Sequence, residues 1–188
     1  MEKVTVSILF VNACVRENSR TLVLAKNIMK DMRGEITEIR LYSENIAPLD
    51  RESLERRECL TRMGKFDDPM FGYARQFAEA DEVVIAAPFW DLSFPSLLKN
   101  YIEQVSVSGI TFKYSEGKPL GLCKAKRLTY VTTSGGPIFE DFGYTYIKAV
   151  ARGFYGIENT KAYRAMNLDV DMITAEELLT KATVSEIE

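Results

Sequence analysis

The stretch that most constrains this chain is Val83-Val84-Ile85-Ala86-Ala87-Pro88-Phe89-Trp90-Asp91. Five apolar residues without a polar interruption, three of them β-branched, suit a strand buried on both faces, the habit of a central parallel strand. Pro88 cannot donate to a sheet ladder, so the chain must leave the sheet there. Beyond it, Phe94, Leu97, Leu98, Tyr101, Ile102 and Val105 share one helical face, with Lys99, Asn100, Glu103 and Gln104 on the other. Ser93 is the expected N-cap, Pro95 falls in the first turn, and Gly109 is the expected stop. Ligands of open α/β sheets collect beyond the carboxyl ends of the strands, which makes the loop Pro88 to Leu92 the first candidate for binding.

Similar units flank this one. Residues 4 to 11 read as a first strand, followed by the polar loop Asn12-Ala13-Cys14-Val15-Arg16-Glu17-Asn18 and a helix whose face is Leu22, Ala25, Met29 and Met32, closing at Gly34. Hydroxyls at Ser19 and Thr21 stand where that helix begins, so they suit either plain capping or an anion held by the first-turn amides and the helix dipole. The loop has no glycine, hence neither a Walker A turn nor a GxGxxG turn, and taken alone it favours Ser19 as a cap. Residues 35 to 42 alternate as a second strand near the sheet edge. The stretch 43–69 is a charged excursion with a short exposed helix around 50–58, whose charge run reads as a solvated face. A helix over 70–80 returns to the central strand. The pattern at 110–122 suggests a small hairpin.

Residues 126 to 133 form the expected fourth strand, ending in Thr133-Ser134-Gly135-Gly136, where glycines permit either a simple turn or close approach of backbone to a ligand; its place at a strand's carboxyl end favours the second reading. A helix through Phe142, Tyr146, Ile147 and Val150 closes near Gly153, and residues 158 to 166 make a fifth strand. Thr174-Ala175-Glu176-Glu177 fits a capping box, and Ile173 with Leu178 a hydrophobic staple. Five alternations predict a parallel sheet covered by helices on both faces, as a single domain over 1–188.

Composition narrows the chemistry. A length of 188 residues, 46% hydrophobic and 27% charged, suffices for a core without disulfides or a structural metal. The net charge of −3 gives no footprint for nucleic acid. No apolar run approaches the roughly 18 residues of a membrane helix, and Met1-Glu2-Lys3 leads into a strand pattern without a secretory layout, so the cytoplasm is the expected compartment. Cys14, Cys59 and Cys123 are widely spaced with no CxxC and read as reduced thiols. Histidine is absent altogether, which removes Ser-His and Cys-His nucleophiles, histidine metal sites and histidine acid–base catalysis.

Taken in order, Ala87-Pro88-Phe89-Trp90, Leu98-Lys99-Asn100-Tyr101, Gly109-Ile110-Thr111-Phe112-Lys113-Tyr114, Thr133-Ser134-Gly135-Gly136 and Gly153-Phe154-Tyr155-Gly156-Ile157 resemble the FMN-dependent NAD(P)H:quinone oxidoreductases and azoreductases. The similarity spans most of the chain and is thinnest between 43 and 69. It implies a flavodoxin-like three-layer sandwich with a five-stranded parallel sheet, order 2-1-3-4-5, and a homodimer binding FMN at the subunit interface. Hydride would pass from NADH or NADPH through the flavin to a quinone, azo compound or similar small acceptor. Carried over by position, Ser19 and Thr21 match hydroxyls on the FMN phosphate, Asn12 the polar residue ending the first strand, and Pro88, Phe89, Trp90, Asp91 and Leu92 the loop along the isoalloxazine. Thr133, Ser134, Gly135 and Gly136 match the second loop against the ring.

A flavin supplies its own redox chemistry, so a chain without histidine remains compatible with the activity. Asp91 departs from the asparagine common in the family; facing the ring, its carboxylate would oppose negative charge on reduced flavin, and Asp91→Asn would then raise the midpoint potential. Arg20 either adds a cationic phosphate contact or lies in solvent. Two alternatives stay open: a one-electron carrier flavodoxin, and a regulatory or interaction domain that kept the fold without the cofactor.

Overall fold

The computed structural model describes residues 5–170, 172–178 and 184–187. Parallel strands run in the order β2 (Glu35–Arg40), β1 (Ser7–Asn12), β3 (Glu82–Ala86), β6 (Arg127–Thr133) and β7 (Asn159–Ala165), followed by an antiparallel β8 (Val184–Ile187). The five parallel strands take the expected order. The sixth overturns the expectation of a five-stranded, wholly parallel sheet: β8 lies against β7, at an edge that would otherwise present unpaired backbone groups.

Burial follows strand parity. Leu9, Val11, Val83, Ile85, Leu128 and Tyr130 point to a layer formed by α3 (Gly72–Glu79), α4 (Ser96–Val105) and α5 (Phe142–Val150), contributing Phe77, Leu98, Tyr101, Tyr144 and Ile147. Ile8, Phe10, Val84 and Val131 face α1 (Arg20–Met29) and α6 (Ala175–Leu178) through Leu24, Ala25, Met29 and Leu178. Each such side chain taken from water contributes about 1.5–3 kcal/mol, which is why a strand written almost wholly in apolar residues finds its place in the middle of the sheet.

Several boundaries differ from expectation for local reasons. The central helix begins at Ser96 with Pro95, not Ser93, at its N-cap, because the residue before a proline is driven to extended backbone and Phe94 cannot start a helix. It ends at Val105, where the Ser106 hydroxyl donates to the Ile102 carbonyl at 2.8 Å; Gly109, at φ +94°, instead accommodates the Phe66 ring against its α-carbon. Likewise α1 ends at Met29, before Gly34. A Cβ on Gly34 would stand 2.5 Å from the Val6 carbonyl, so this glycine lets the chain pass close to β1. The helix α5 continues through a π-helical turn, Ala151–Tyr155, and closes on Gly156 at φ +74° rather than at Gly153.

The excursion carries α2 (Arg51–Arg62), opened by reciprocal bonds between Asp50 and Ser53 and with no buried residue. The expected hairpin is present as β4 (Phe112–Ser115) and β5 (Lys118–Gly121), joined through Glu116 and Gly117, both at positive φ. Thr174 and Glu177 make the expected capping box, with Glu177 N donating to Thr174 Oγ1 at 3.2 Å and Thr174 N donating back to Glu177 Oε2 at 3.1 Å. The run of that helix past Leu178 lies outside the described residues. Among the described residues no helix is long and apolar enough to cross a membrane, and no group of three or more His, Cys, Asp or Glu side chains could hold a metal ion.

Candidate functional site

Strand order reverses between β1 and β3, with connections running outward to either side, so a crevice opens at their carboxyl ends. The loops there are held in sheet-like fashion after the strands end. Ala13 N donates to Ala86 O at 2.9 Å, Ala87 N to Val131 O at 3.0 Å, Phe89 N to Thr133 O at 3.0 Å and Ser134 N to Ala165 O at 3.0 Å. Three turns separated in sequence therefore converge on one cavity of about 270 Å³, lined by Val15, Arg16, Asn18, Ser19, Arg20, Thr21, Pro88, Phe89, Trp90, Thr133, Ser134, Gly135 and Asp169.

At one end is the start of α1. Ser19 caps it, its Oγ accepting from Leu22 N at 3.2 Å, which leaves the hydroxyl proton available to another acceptor. The Arg20 and Thr21 amides, in the first turn, have no carbonyl behind them in the helix. Thr21 Oγ1 lies 2.7 Å from Thr133 Oγ1, a buried hydroxyl pair that fastens the first loop to the third. Arg20 lines the cavity and has partners within the chain as well. Its Nη1 donates to Leu168 O at 2.7 Å and Ile173 O at 3.0 Å, and its Nη2 pairs with Asp169, so the guanidinium ties this helix to the segment after β7.

The aromatic wall is Pro88, Phe89 and Trp90, and Trp90 is 39% exposed. Trp90 and Ser93 exchange backbone bonds, Trp90 N to Ser93 O at 3.1 Å and Ser93 N to Trp90 O at 2.7 Å, across Asp91 at φ 49° and Leu92 at φ 64°. Two left-handed central residues make this a type I′ turn, which asks for Asn, Asp or Gly and tolerates Leu92 only with strain. Asp91 and Leu92 are exposed and absent from the cavity wall. Solvent screens the Asp91 carboxylate, which shrinks the shift expected of Asp91→Asn.

In the third turn Ser134 Oγ donates to Gly136 O at 2.5 Å, while Leu168 N and Asp169 N donate to Ser134 O at 3.2 Å and Gly135 O at 2.9 Å. The reason for Gly135 differs from the expected one. A Cβ there would run into the Asp169 carboxylate, 2.8 Å from its Cγ, so the space opened by this glycine is filled by a side chain of the same protein. Gly136 lies outside the lining. Asn12 also stays out of the cavity: its Nδ2 donates to Glu38 Oε1 at 2.8 Å and its Oδ1 accepts from Cys14 N at 2.9 Å, shaping the turn from behind. Burial pushes the neighbouring Cys14 thiol up to about 11, with the Ser19 hydroxyl partly opposing, so it is neutral near pH 7.

Val15, Arg16 and Asn18 belong to a loop already marked as polar in the sequence. Asp169 carried no signal, since it lies past the end of β7 and reaches the cavity only through the backbone pairing of the 165–169 segment with the third turn.

The flavodoxin-like fold family model matches residues 7–185. An FMN-dependent NADH:quinone oxidoreductase of Coprothermobacter proteolyticus is 35% identical over 176 residues, covering 87% of each chain. A second such enzyme, from Clostridium acetobutylicum, is 39% identical over 163 residues, 81% of this chain and 80% of that one. Among solved structures, an azoreductase from Bacillus anthracis superposes with a TM-score of 0.76 at 25% identity, covering 93% of both chains. An FMN-dependent NADH-azoreductase from the same species, in complex with FMN, gives 0.74 at 26% identity over 88% and 89%. The chain therefore belongs to the flavodoxin-like family, with FMN-dependent NADH:quinone oxidoreductases among its relatives.

Proposed function

We propose that the cavity binds FMN and that the protein transfers hydride from NADH, or NADPH, to a quinone, an azo compound or a similar small acceptor. The observation that carries this is the convergence of the α1 start, the Pro88–Trp90 wall and the Thr133–Gly135 turn on a single cavity. The fit is chemical as well as spatial. First-turn amides and the Ser19 hydroxyl suit a phosphate, and the positive end of the α1 dipole favours its charge. Phe89 and Trp90 offer a flat apolar surface to a planar ring and keep water from one side of it. The names of the relatives, which specify FMN and NADH, support the same reading.

Bound FMN would supply the hydride chemistry itself. The chain's own residues bind, orient and shield. The Thr21–Thr133 pair fixes the spacing between the phosphate end and the ring end, and Asp169 with Arg20 holds the Gly135 backbone in place. Exposed aromatics on the helix and loop beside the wall, Phe139 at 86% and Phe142 at 56% exposure, support a homodimer in which a second copy covers this face and completes the acceptor site. A cytoplasmic location fits an enzyme that draws on NADH.

Purified protein equilibrated with FMN and dialysed is expected to stay yellow, to bleach under anaerobic NADH or NADPH, and to regain colour on adding a quinone. Protein that releases all flavin, or holds it oxidised under excess of both nicotinamides, would refute the proposal. Bleaching without turnover of quinone would favour the electron carrier instead. Light scattering reports the dimer separately.

A further inference from the structure

Five buried side-chain polar atoms lack a hydrogen-bond partner among the described residues, and three of them, Tyr130 Oη, Thr132 Oγ1 and Arg164 Nε, belong to one place. Tyr130 and Thr132 are two apart on β6 and so point to the same face; Arg164 stands beside Thr132 in the β6–β7 register. Both β6 side chains are at most 1% exposed. Over them sits Asp141, which caps α5 by accepting from Tyr144 N at 2.8 Å and pairs with Arg164, the two side chains being 12% and 15% exposed. Gly143 closes the space: a Cβ on it would lie 3.0 Å from Tyr130 Oη, 3.2 Å from Asp141 Oδ1 and 3.4 Å from the Ser93 carbonyl carbon. The cluster is therefore directly behind the turn that carries Trp90.

Buried polar atoms rarely go unpaired, and three neighbours unpaired together point to one shared partner. Its nature follows from the charges. Asp141 offsets Arg164 and both hydroxyls are neutral, so neither an anion nor a cation is called for. Arg164 Nε can only donate, while each hydroxyl both donates and accepts. Water answers all three.

We propose that Tyr130, Thr132 and Arg164 enclose an ordered internal water, and that Arg164, acting through Asp141, is a positioning residue for the Trp90 turn. The mechanical path is short. Asp141 fixes the start of α5, and the next residue's amide, Phe142 N, donates to Leu92 O at 3.0 Å, holding the turn in its left-handed conformation. Burial, reinforced by the Asp141 carboxylate and partly opposed by the nearby Thr132 hydroxyl, raises the Tyr130 hydroxyl well above its ordinary range, so it remains a protonated donor. Only the consequence for catalysis rests on reading the cavity as a flavin site; the water and the turn do not.

A crystal structure that resolves solvent tests the first half. Density is expected within about 2.7–3.2 Å of at least two of the three atoms, and Tyr130→Phe should lose that water or one of its bonds. An empty site, or Tyr130 and Thr132 bonded directly to each other with Arg164 turned away, overturns it. The second half is read from Trp90, the only tryptophan in the chain. In flavin-free protein, Arg164→Met combined with Asp141→Asn, which keeps the cap acceptor, should shift Trp90 emission to the red and raise its quenching by acrylamide. Arg164→Lys, which preserves the charge opposite Asp141, should restore the native emission and serves alone should the double variant fail to fold. Native emission in the double variant, or an Arg164→Lys variant as perturbed as the double variant, refutes the positioning role. A protein that binds no flavin would leave both readouts intact.

Discussion

Gly135→Ala is the sharpest probe of how the site is built. The new methyl would lie 2.8 Å from Asp169 Cγ and 3.3 Å from Asp169 Cβ, closer than van der Waals contact allows, and overpacking of this kind costs about 1–3 kcal/mol. The strain can be relieved by swinging the carboxylate into solvent, since Asp169 is 69% exposed, at the expense of an ion pair with Arg20 worth at most about 1 kcal/mol. Gly135 is not at positive φ, so no backbone penalty adds to this, and the lower unfolded-state entropy of alanine returns about 0.4–1 kcal/mol. The expected net loss is about 1 kcal/mol. At a urea m-value of about 2 kcal/mol/M it moves the unfolding midpoint by about 0.5 M. With Asp169→Ala in the background only the 3.3 Å contact remains, so the loss should vanish, a coupling of about 1 kcal/mol between two residues 34 positions apart. FMN affinity should likewise be equal in Asp169→Ala and in the double variant. Equal destabilisation in both backgrounds, or a further tenfold fall in FMN affinity in the double variant (about 1.4 kcal/mol), would show that the glycine serves the ligand and not Asp169.

Other perturbations follow from the same contacts. Thr21→Val or Thr133→Val alone leaves one buried hydroxyl without its 2.7 Å partner and should cost about 1–3 kcal/mol in chemical denaturation, whereas the double valine variant should recover most of it. Leu92→Asn suits the left-handed backbone at φ 64° better than leucine and should stabilise the protein by about 1 kcal/mol, seen as a raised Tm. Cys14 titrates near 11 in the folded protein against an ordinary 9.0, so the unfolded chain loses its proton first as pH rises; stability from this thiol is complete below pH 9 and is lost between about 9 and 11, roughly 2–3 kcal/mol in all. Cys14→Ala should flatten that alkaline slope in pH-dependent unfolding.

Much of this architecture could be read from the chain because it rests on local chemistry. An uninterrupted apolar run can be buried only in mid-sheet, a proline ends a ladder, and a hydroxyl before a helical face caps it; these sufficed for the central strand, the Ser19 cap, the Thr174 capping box, the exposed helix near 50–58 and the hairpin near 110–122, while the order of the parallel strands came from the family resemblance. They also marked the three turns that meet at the cavity. What the chain could not disclose depends on contacts between distant segments. The carbonyls that hold the Arg20 guanidinium lie about 150 residues away, the carboxylate packed against Gly135 is that of Asp169, and the Thr21 hydroxyl meets Thr133. Asp91 and Leu92 were turned out of the cavity by a pair of backbone bonds between Trp90 and Ser93. Periodicity and capping act over a few residues and are written in neighbouring letters; the partner of a polar side chain is chosen only when the sheet closes and brings its strand ends together.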